Sequence, residues 1–135
     1  RDEREAGRRA ILNFGHTIGH AIEAASRFRI PHGHAVAIGM AVEARIAVGL
    51  GRLGKATERR LVDLLAAFGL PVTVPRPYTP KRLLRGTRSA KKARGGRARY
   101  ALPVALGRML PGGAVTSEID DGAVLAALSA CRAPG

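Results

Sequence analysis

The sequence is poor in covalent and aromatic anchors. Cys131 is the only cysteine, tryptophan is absent, and aromatics make up 4% of the 135 residues. A single cysteine excludes an internal disulfide and fits a reducing compartment, so a cytoplasmic location is expected. With so few aromatics, the core must be built from Ala, Val, Leu and Ile, a composition that favours close-packed helices. No apolar run is long enough to span a membrane, and no secretory signal is visible at the N-terminus. Acidic residues are scarce, at 10 against 23 Lys and Arg, and the net charge is +13. Between Arg76 and Ser117 there is no Asp or Glu at all. Such a balance points to an anionic partner, whether a phosphorylated small molecule, an acidic lipid or nucleic acid, or to a merely soluble Arg-rich surface.

What the chain does have is one domain's worth of apolar content, 46% of its residues, which argues against disorder. The first residue is Arg, and Arg1-Asp2-Glu3-Arg4-Glu5 reads as the middle of a charged helix. The chain is therefore expected to be a piece of a longer protein. Residues 2–12 read as that helix, 13–15 as a break or tight bend, and 16–28 as a second helix closed by Pro31. Residues 32–50 are apolar nearly all round and predict a central buried helix. Residues 55–68 predict an amphipathic helix with Thr57 as its N-cap and Gly69 as its stop. Four prolines make 70–80 an extended connector, Lys81 to Leu84 start a short helix, and 85–99 reads as a basic, glycine-containing loop with a turn at Gly95-Gly96. Residues 97–106 and 114–119 read as two strands of one small β-hairpin across Pro111-Gly112-Gly113. Asp120 or Asp121 caps a last helix over about 122–131. The fold class is thus mainly α, over a single domain spanning 1–135, with one small hairpin.

All four histidines fall within one short window, as His16, His20, His32 and His34. Histidine is the commonest metal ligand and the side chain that titrates nearest neutrality. His16 and His20 are four apart, which puts both imidazoles on one helix face, a turn apart. Thr17 stands where a zinc protease would carry its catalytic Glu, so that motif is excluded. Gly15 and Gly19 flank the pair and let a backbone or a ligand come close. His32 follows the reversal at Pro31 and can fold back toward the pair, whereas His34 reads as peripheral. Three neutral imidazoles would complete a zinc site with an open position, and two with an external carboxylate would serve as well.

Arg9-Ala10-Ile11-Leu12-Asn13-Phe14-Gly15-His16-Thr17-Ile18-Gly19-His20-Ala21-Ile22-Glu23, followed by His32-Gly33-His34-Ala35-Val36-Ala37-Ile38-Gly39-Met40, closely resembles the C-terminal half of the 3-dehydroquinate synthases, within the wider sugar phosphate cyclase group. The order of Gly69-Leu70-Pro71, Lys91-Lys92, a glycine turn and a strand continues the resemblance. It implies a helical C-terminal metal- and substrate-binding domain. It further implies a divalent metal, Zn2+ or Co2+, and NAD bound mostly by an N-terminal domain outside this chain, so no cofactor-binding residues are expected here. The implied reaction is that of a carbon–oxygen lyase of aromatic amino acid biosynthesis, closing a seven-carbon keto-acid phosphate to 3-dehydroquinate with loss of phosphate. By position, His16 and His32 resemble the metal ligands and His20 the neighbouring catalytic histidine. Arg9 and Asn13 resemble catalytic substrate contacts, and Lys91 and Lys92 the phosphate- or carboxylate-facing lysine. If the first helix continues through residue 13, Arg9 and Asn13 reach the face of His16.

The resemblance also implies a homodimer at full length, a small phosphorylated substrate, and no nucleic-acid or membrane partner. Two departures remove a carboxylate: His34 where the family usually has Glu, and Ala90 where it usually has Asp. A related cyclase, a degenerate non-catalytic homologue and a basic nucleic-acid-binding module over 76–108 are the competing readings. On this reading the chain lacks the family's third metal ligand and is inactive alone.

Overall fold

The computed structural model describes residues 14–92, 99–100, 103–105, 108–109 and 117–134. Five helices carry the described fold: α1 (His16–Ala25), α2 (His32–Gly49), α3 (Lys55–Ala67), α4 (Pro80–Lys92) and α5 (Asp121–Ala130). α2 is the axis. It packs most extensively on α1, then on α5 and α3, while α4 closes over α1 and α5. Its Ala35, Ala37, Ile38, Ala41, Val42, Ala44, Ile46 and Ala47 are all buried, which fits an apolar helix surrounded by others. Small residues dominate that list, so neighbouring backbones approach closely.

The tightest approach lies between α1 and α2. A methyl group on Gly39 would run into the carbonyl oxygen of Gly15, and one on Gly19 would lie 3.2 Å from the Ala35 oxygen. Only hydrogen at Gly39 permits this crossing, so the glycines flanking the histidine pair admit a helix backbone rather than a ligand.

α1 ends earlier than its pattern predicts. Arg27 N–H donates to Ala24 O (3.1 Å) and Phe28 N–H to Glu23 O (2.8 Å), the paired bonds of a Schellman stop. Arg27 (φ 53) and Phe28 (φ 61) take the left-handed conformation without being glycine. The Ser26 hydroxyl ties the turn by donating to Glu23 O (3.1 Å) and accepting from Ile30 N–H (3.3 Å). The chain thereby reverses within a few residues and delivers His32 to the first position of α2.

α3 is not capped by Thr57. Its N-cap is Gly54 and no side chain caps it, because Thr57 already lies inside the first turn. Arg45 on α2 binds Glu58 on α3 at 2.9 Å and joins the two helices. The connector after α3 is pinned rather than loose. Val74 is fully buried, takes an N–H bond to Cys131 O (2.8 Å), and accepts from Ala133 N–H (2.9 Å).

α4 begins where a short helix is expected to start, and it runs on through Lys92. The Thr79 hydroxyl accepts from Arg82 N–H at 3.2 Å, and Pro80 occupies the first helical position, which its fixed φ favours. Leu83, Leu84 and Thr87 form its buried face, and Gly86 sits against Ala21 of α1.

Among the described residues the expected pairing of the two strands is found, and a second antiparallel pairing lies between them in the chain. β1 (Arg99–Tyr100) pairs with β4 (Ser117–Glu118), and β2 (Pro103–Ala105) pairs with β3 (Arg108–Met109). Pro103 cannot donate to a ladder, and the register shifts beside it. Tyr100 is buried against the helices. Asp120 caps α5 as expected, accepting from Gly122 N–H at 3.0 Å. No helix among the described residues is long and apolar enough to cross a membrane. The helix expected over 2–12 lies outside the described residues.

Candidate functional site

α1 and α2 bring three of the four histidines together. The ring centroids of His16 and His20 are 5.5 Å apart, those of His16 and His32 are 5.4 Å apart, and those of His20 and His32 are 6.3 Å apart. The first spacing follows from one helical turn. The second requires the Schellman stop and the α1–α2 crossing, both tertiary features. His20 and His32 are exposed and His16 is half-buried, so the cluster opens outward. His34 is exposed two residues further on, in the same first turn of α2, and takes no part in the ring contacts of the cluster.

The chemistry of the donors suits a divalent cation. Zinc sits about 2.0–2.1 Å from an imidazole nitrogen, so two imidazoles on one tetrahedral centre have ring centres on the order of 5 Å apart. The His16–His32 spacing of 5.4 Å matches that requirement. The Nδ1 atoms of both rings are engaged elsewhere. His16 Nδ1 lies 3.3 Å from Phe14 O, and His32 Nδ1 lies 3.1 Å from a carboxylate oxygen of Glu23. When Nδ1 donates its proton to an oxygen, Nε2 is left as a lone-pair donor, the usual arrangement behind a metal-ligating histidine. Among the described residues, no group of three or more His, Cys, Asp or Glu side chains is gathered into a complete metal cage. The site thus offers two well-disposed donors beside a third imidazole, and leaves room for a donor from elsewhere.

Two glutamates hold this arrangement, and neither stands out in the sequence as a ligand. Glu23 is buried and shares the face of His16 and His20, at i+7 and i+3. Glu43 is fully buried on α2. It accepts Gly15 N–H at 2.9 Å and Ile18 N–H at 3.2 Å. Gly15 is left-handed (φ 85) and gives α1 no side-chain cap, so Glu43 caps that helix from the neighbouring one. Burial pushes its carboxyl up to about 8, against the backbone N–H groups of Gly15, Ile18 and Thr17, which pull it down. One signal pointed to it: Glu43 is a lone acid in the most apolar stretch of the chain, and buried acids are rare unless partnered.

The other expected site residues fall differently. Arg9 and Asn13 lie outside the described residues. The helix that carries His16 begins at His16 itself, after the left-handed Gly15. Lys91 and Lys92 are the last two residues of α4 rather than part of a basic loop. The spacing Gly49-Leu50-Gly51-Arg52-Leu53-Gly54 has the letters of a dinucleotide loop, a match the expectation of no cofactor residues overlooked. It is the turn from α2 into α3, with no strand before it, and lacks the strand–turn–helix context that such a loop needs. The Cys131 thiol is pushed up to about 11 by burial and is far from a reactive thiolate. Tyr100 is buried and Tyr78 lies beneath the Arg82 guanidinium at 5.7 Å, so neither adds a base-stacking platform to the basic stretch.

Residues 1–93 match the family described as 3-dehydroquinate synthase C-terminal. The chain belongs to this family. It is 43% identical over 133 residues to the 3-dehydroquinate synthase of Symbiobacterium thermophilum, covering 97% of this chain and 36% of that protein. It is 41% identical over 119 residues to the synthase of Crocosphaera subtropica, covering 87% of this chain and 33% of that one. The chain thus spans about a third of the length of the curated relatives it matches. Among solved structures, its fold is similar to 2-deoxy-scyllo-inosose synthase complexed with carbaglucose-6-phosphate, NAD+ and Co2+. That match has a TM-score of 0.78 and 23% identity, and covers 90% of this chain and 33% of that one. It is also similar to 2-epi-5-epi-valiolone synthase from Streptomyces hygroscopicus subsp. jinggangensis with NAD+ and Zn2+ bound, with a TM-score of 0.75 and 27% identity, covering 89% and 32%. The mainly helical C-terminal domain expected from the sequence is the fold observed.

Proposed function

We propose that this chain is the metal- and substrate-binding part of a 3-dehydroquinate synthase, a carbon–oxygen lyase of the shikimate pathway. Its substrate is 3-deoxy-arabino-heptulosonate 7-phosphate, converted to 3-dehydroquinate and phosphate. The observation that carries the reading is the convergence of His16, His20 and His32, with the Nδ1 atoms of His16 and His32 each held by an oxygen. His16 and His32 hold the divalent metal, Zn2+ or Co2+, through Nε2. That ion supplies Lewis-acid polarisation of a substrate oxygen. His20, exposed beside them, moves a proton at the substrate through its imidazole. Arg9 binds a carboxylate or phosphate through its bidentate fork, and Asn13 hydrogen-bonds the substrate. Lys91 and Lys92, at the end of α4, face its anionic groups. The acid-free stretch from Arg76 to Ser117 raises the local concentration of a doubly charged phosphate.

The identity to 3-dehydroquinate synthases, 41% and 43% over most of the chain, supports this substrate over those of the structurally similar cyclases, at 23% and 27%. NAD is bound in the whole enzyme by a domain outside these residues, and the whole enzyme is a homodimer. The test is turnover. The chain alone, given NAD, zinc and substrate, is expected to release no phosphate, and addition of a 3-dehydroquinate synthase N-terminal domain in the same polypeptide is expected to restore it. Turnover by the chain alone contradicts its incompleteness, and none by the joined protein contradicts the catalytic reading.

A further inference from the structure

We propose that Glu23 is a positioning residue that holds the neutral imidazole of His32 in the Nδ1–H tautomer, leaving Nε2 as the donor toward the site. This rests on the reading of His32 as a ligand.

Glu23 is suited to the task by how it is fixed. Its side chain is 10% exposed, whereas that of His32 is 57% exposed, so the carboxylate sits at the floor and the ring stands above it. Its backbone is locked by the end of α1, where its carbonyl accepts from both Phe28 N–H and the Ser26 hydroxyl. His32, by contrast, has little of its own to orient it. It is the first residue of α2, follows Pro31 at the N-cap, and is followed by Gly33, around whose Cβ position there is open space. The Glu23 oxygen, 3.1 Å from Nδ1, is the contact that sets which nitrogen carries the proton. A lone pair on Nδ1 would face a carboxylate oxygen without a proton between them, so the short contact requires Nδ1–H. Neutral imidazole free in water prefers Nε2–H, so this carboxylate reverses the intrinsic preference.

The backbone carbonyl of Phe14 stands in the same relation to His16 at 3.3 Å, so the two rings are prepared by one device with two kinds of acceptor. Because Glu23 lies on the helix of His16, its contact also ties the ring from α2 to the element carrying the other donor.

The experiment uses the full chain, with Glu23→Gln, Glu23→Ala and His32→Ala. Two-bond proton–nitrogen spectra of the metal-free protein, at a pH where imidazole is neutral, report the His32 tautomer. Zinc titration reports affinity, and circular dichroism reports helix content. Expected are Nδ1–H in the native chain, Nε2–H in Glu23→Ala, and zinc affinity weakened roughly 10–100-fold in Glu23→Ala with helix content retained. Glu23→Gln keeps a carbonyl acceptor of the same shape and is expected to lose less, which keeps the test decisive if the alanine variant fails to fold. Native tautomer and native affinity in folded Glu23→Ala or, if that variant does not fold, undiminished zinc affinity in Glu23→Gln, while His32→Ala abolishes binding, overturns the positioning role alone. Unchanged zinc affinity in His32→Ala overturns the ligand reading, and this proposal with it.

Discussion

α1 and α5 are each ten residues long, and each must satisfy the free N–H groups of its first turn. α5 does so locally: Asp120 accepts from Gly122 N–H two residues on. α1 does so at a distance: Glu43, 28 residues along the chain from Gly15, reaches across from α2. The local cap starts a helix and commits nothing else. The remote cap starts a helix and at the same time fixes where it lies against its neighbour. That neighbour carries His32 and the capped helix carries His16, so the cap and the Gly39 crossing together set the spacing between the two rings. The start of α1 is therefore set by tertiary contacts, and the start of α5 by sequence-local ones.

Breaking the remote cap is expected to have the largest effect. Glu43→Leu leaves two buried N–H groups without an acceptor, about 1–3 kcal/mol for each, read as a lowered midpoint in urea denaturation. The pH dependence carries a sign. The folded carboxyl lies near 8, above its ordinary 4.5, so its contribution to stability is full below about 4.5 and is lost as pH rises through about 8. Glu43→Gln, which does not titrate, is expected to flatten the fall in urea midpoint across that window; an unchanged slope assigns it to other groups.

Gly39→Ala drives a methyl into the Gly15 carbonyl. Overpacking of this kind costs about 1–3 kcal/mol, and here backbone must move, so the upper end is expected. The same variant is expected to weaken zinc binding by separating the rings, a loss that a destabilised but correctly spaced site would not show. Asp120→Ala removes the local cap at a cost of about 1 kcal/mol and is expected to leave zinc affinity untouched. The comparison fails if Asp120→Ala weakens zinc binding as much as Gly39→Ala does.

The smallest effect expected is a gain at the other end of α1. The Schellman stops of α2 and α3 use Gly51 and Gly69 at positive φ, whereas α1 uses Arg27. A left-handed non-glycine residue costs roughly 1–2 kcal/mol, partly offset by the chain entropy that glycine brings. Arg27→Gly is therefore expected to raise the urea midpoint slightly, and a lowered midpoint would mean that the side chain of Arg27 contributes more than its backbone strain costs.

Legibility in the sequence follows the same division. The central helix, α3, the proline-rich connector and the Asp120 cap all follow from periodicity and short-range turn chemistry, which act within a few residues, whereas the bonds from Val74 to Cys131 and Ala133 that pin the connector do not. The pairing of His16 with His20 follows from one helical turn. α4 was obscured by Gly86 and by its run of basic residues, although Leu83, Leu84 and Thr87 trace a helical face and Thr79-Pro80 is a helix start. The inner β2–β3 pairing is hidden because Pro103 breaks the strand pattern and Pro111-Gly112-Gly113 gives the louder turn signal. Glu43 was invisible as a cap because its partners are far away in the chain. Glu23 lay within the motif itself, yet nothing in spacing alone says that a carboxylate on α1 will meet an imidazole on α2. The resemblance supplied the family and candidate roles for His16, His20 and His32, while the glutamates behind them came from the packing.

The measurement that bears most directly on the central claim is zinc binding by the full chain and by three variants, His16→Ala, His32→Ala and His34→Ala, followed calorimetrically. If His16 and His32 hold the metal, the first two variants lose zinc binding and His34→Ala retains the affinity of the native chain. Native affinity in His16→Ala and His32→Ala would contradict the metal-site reading on which the proposed function stands.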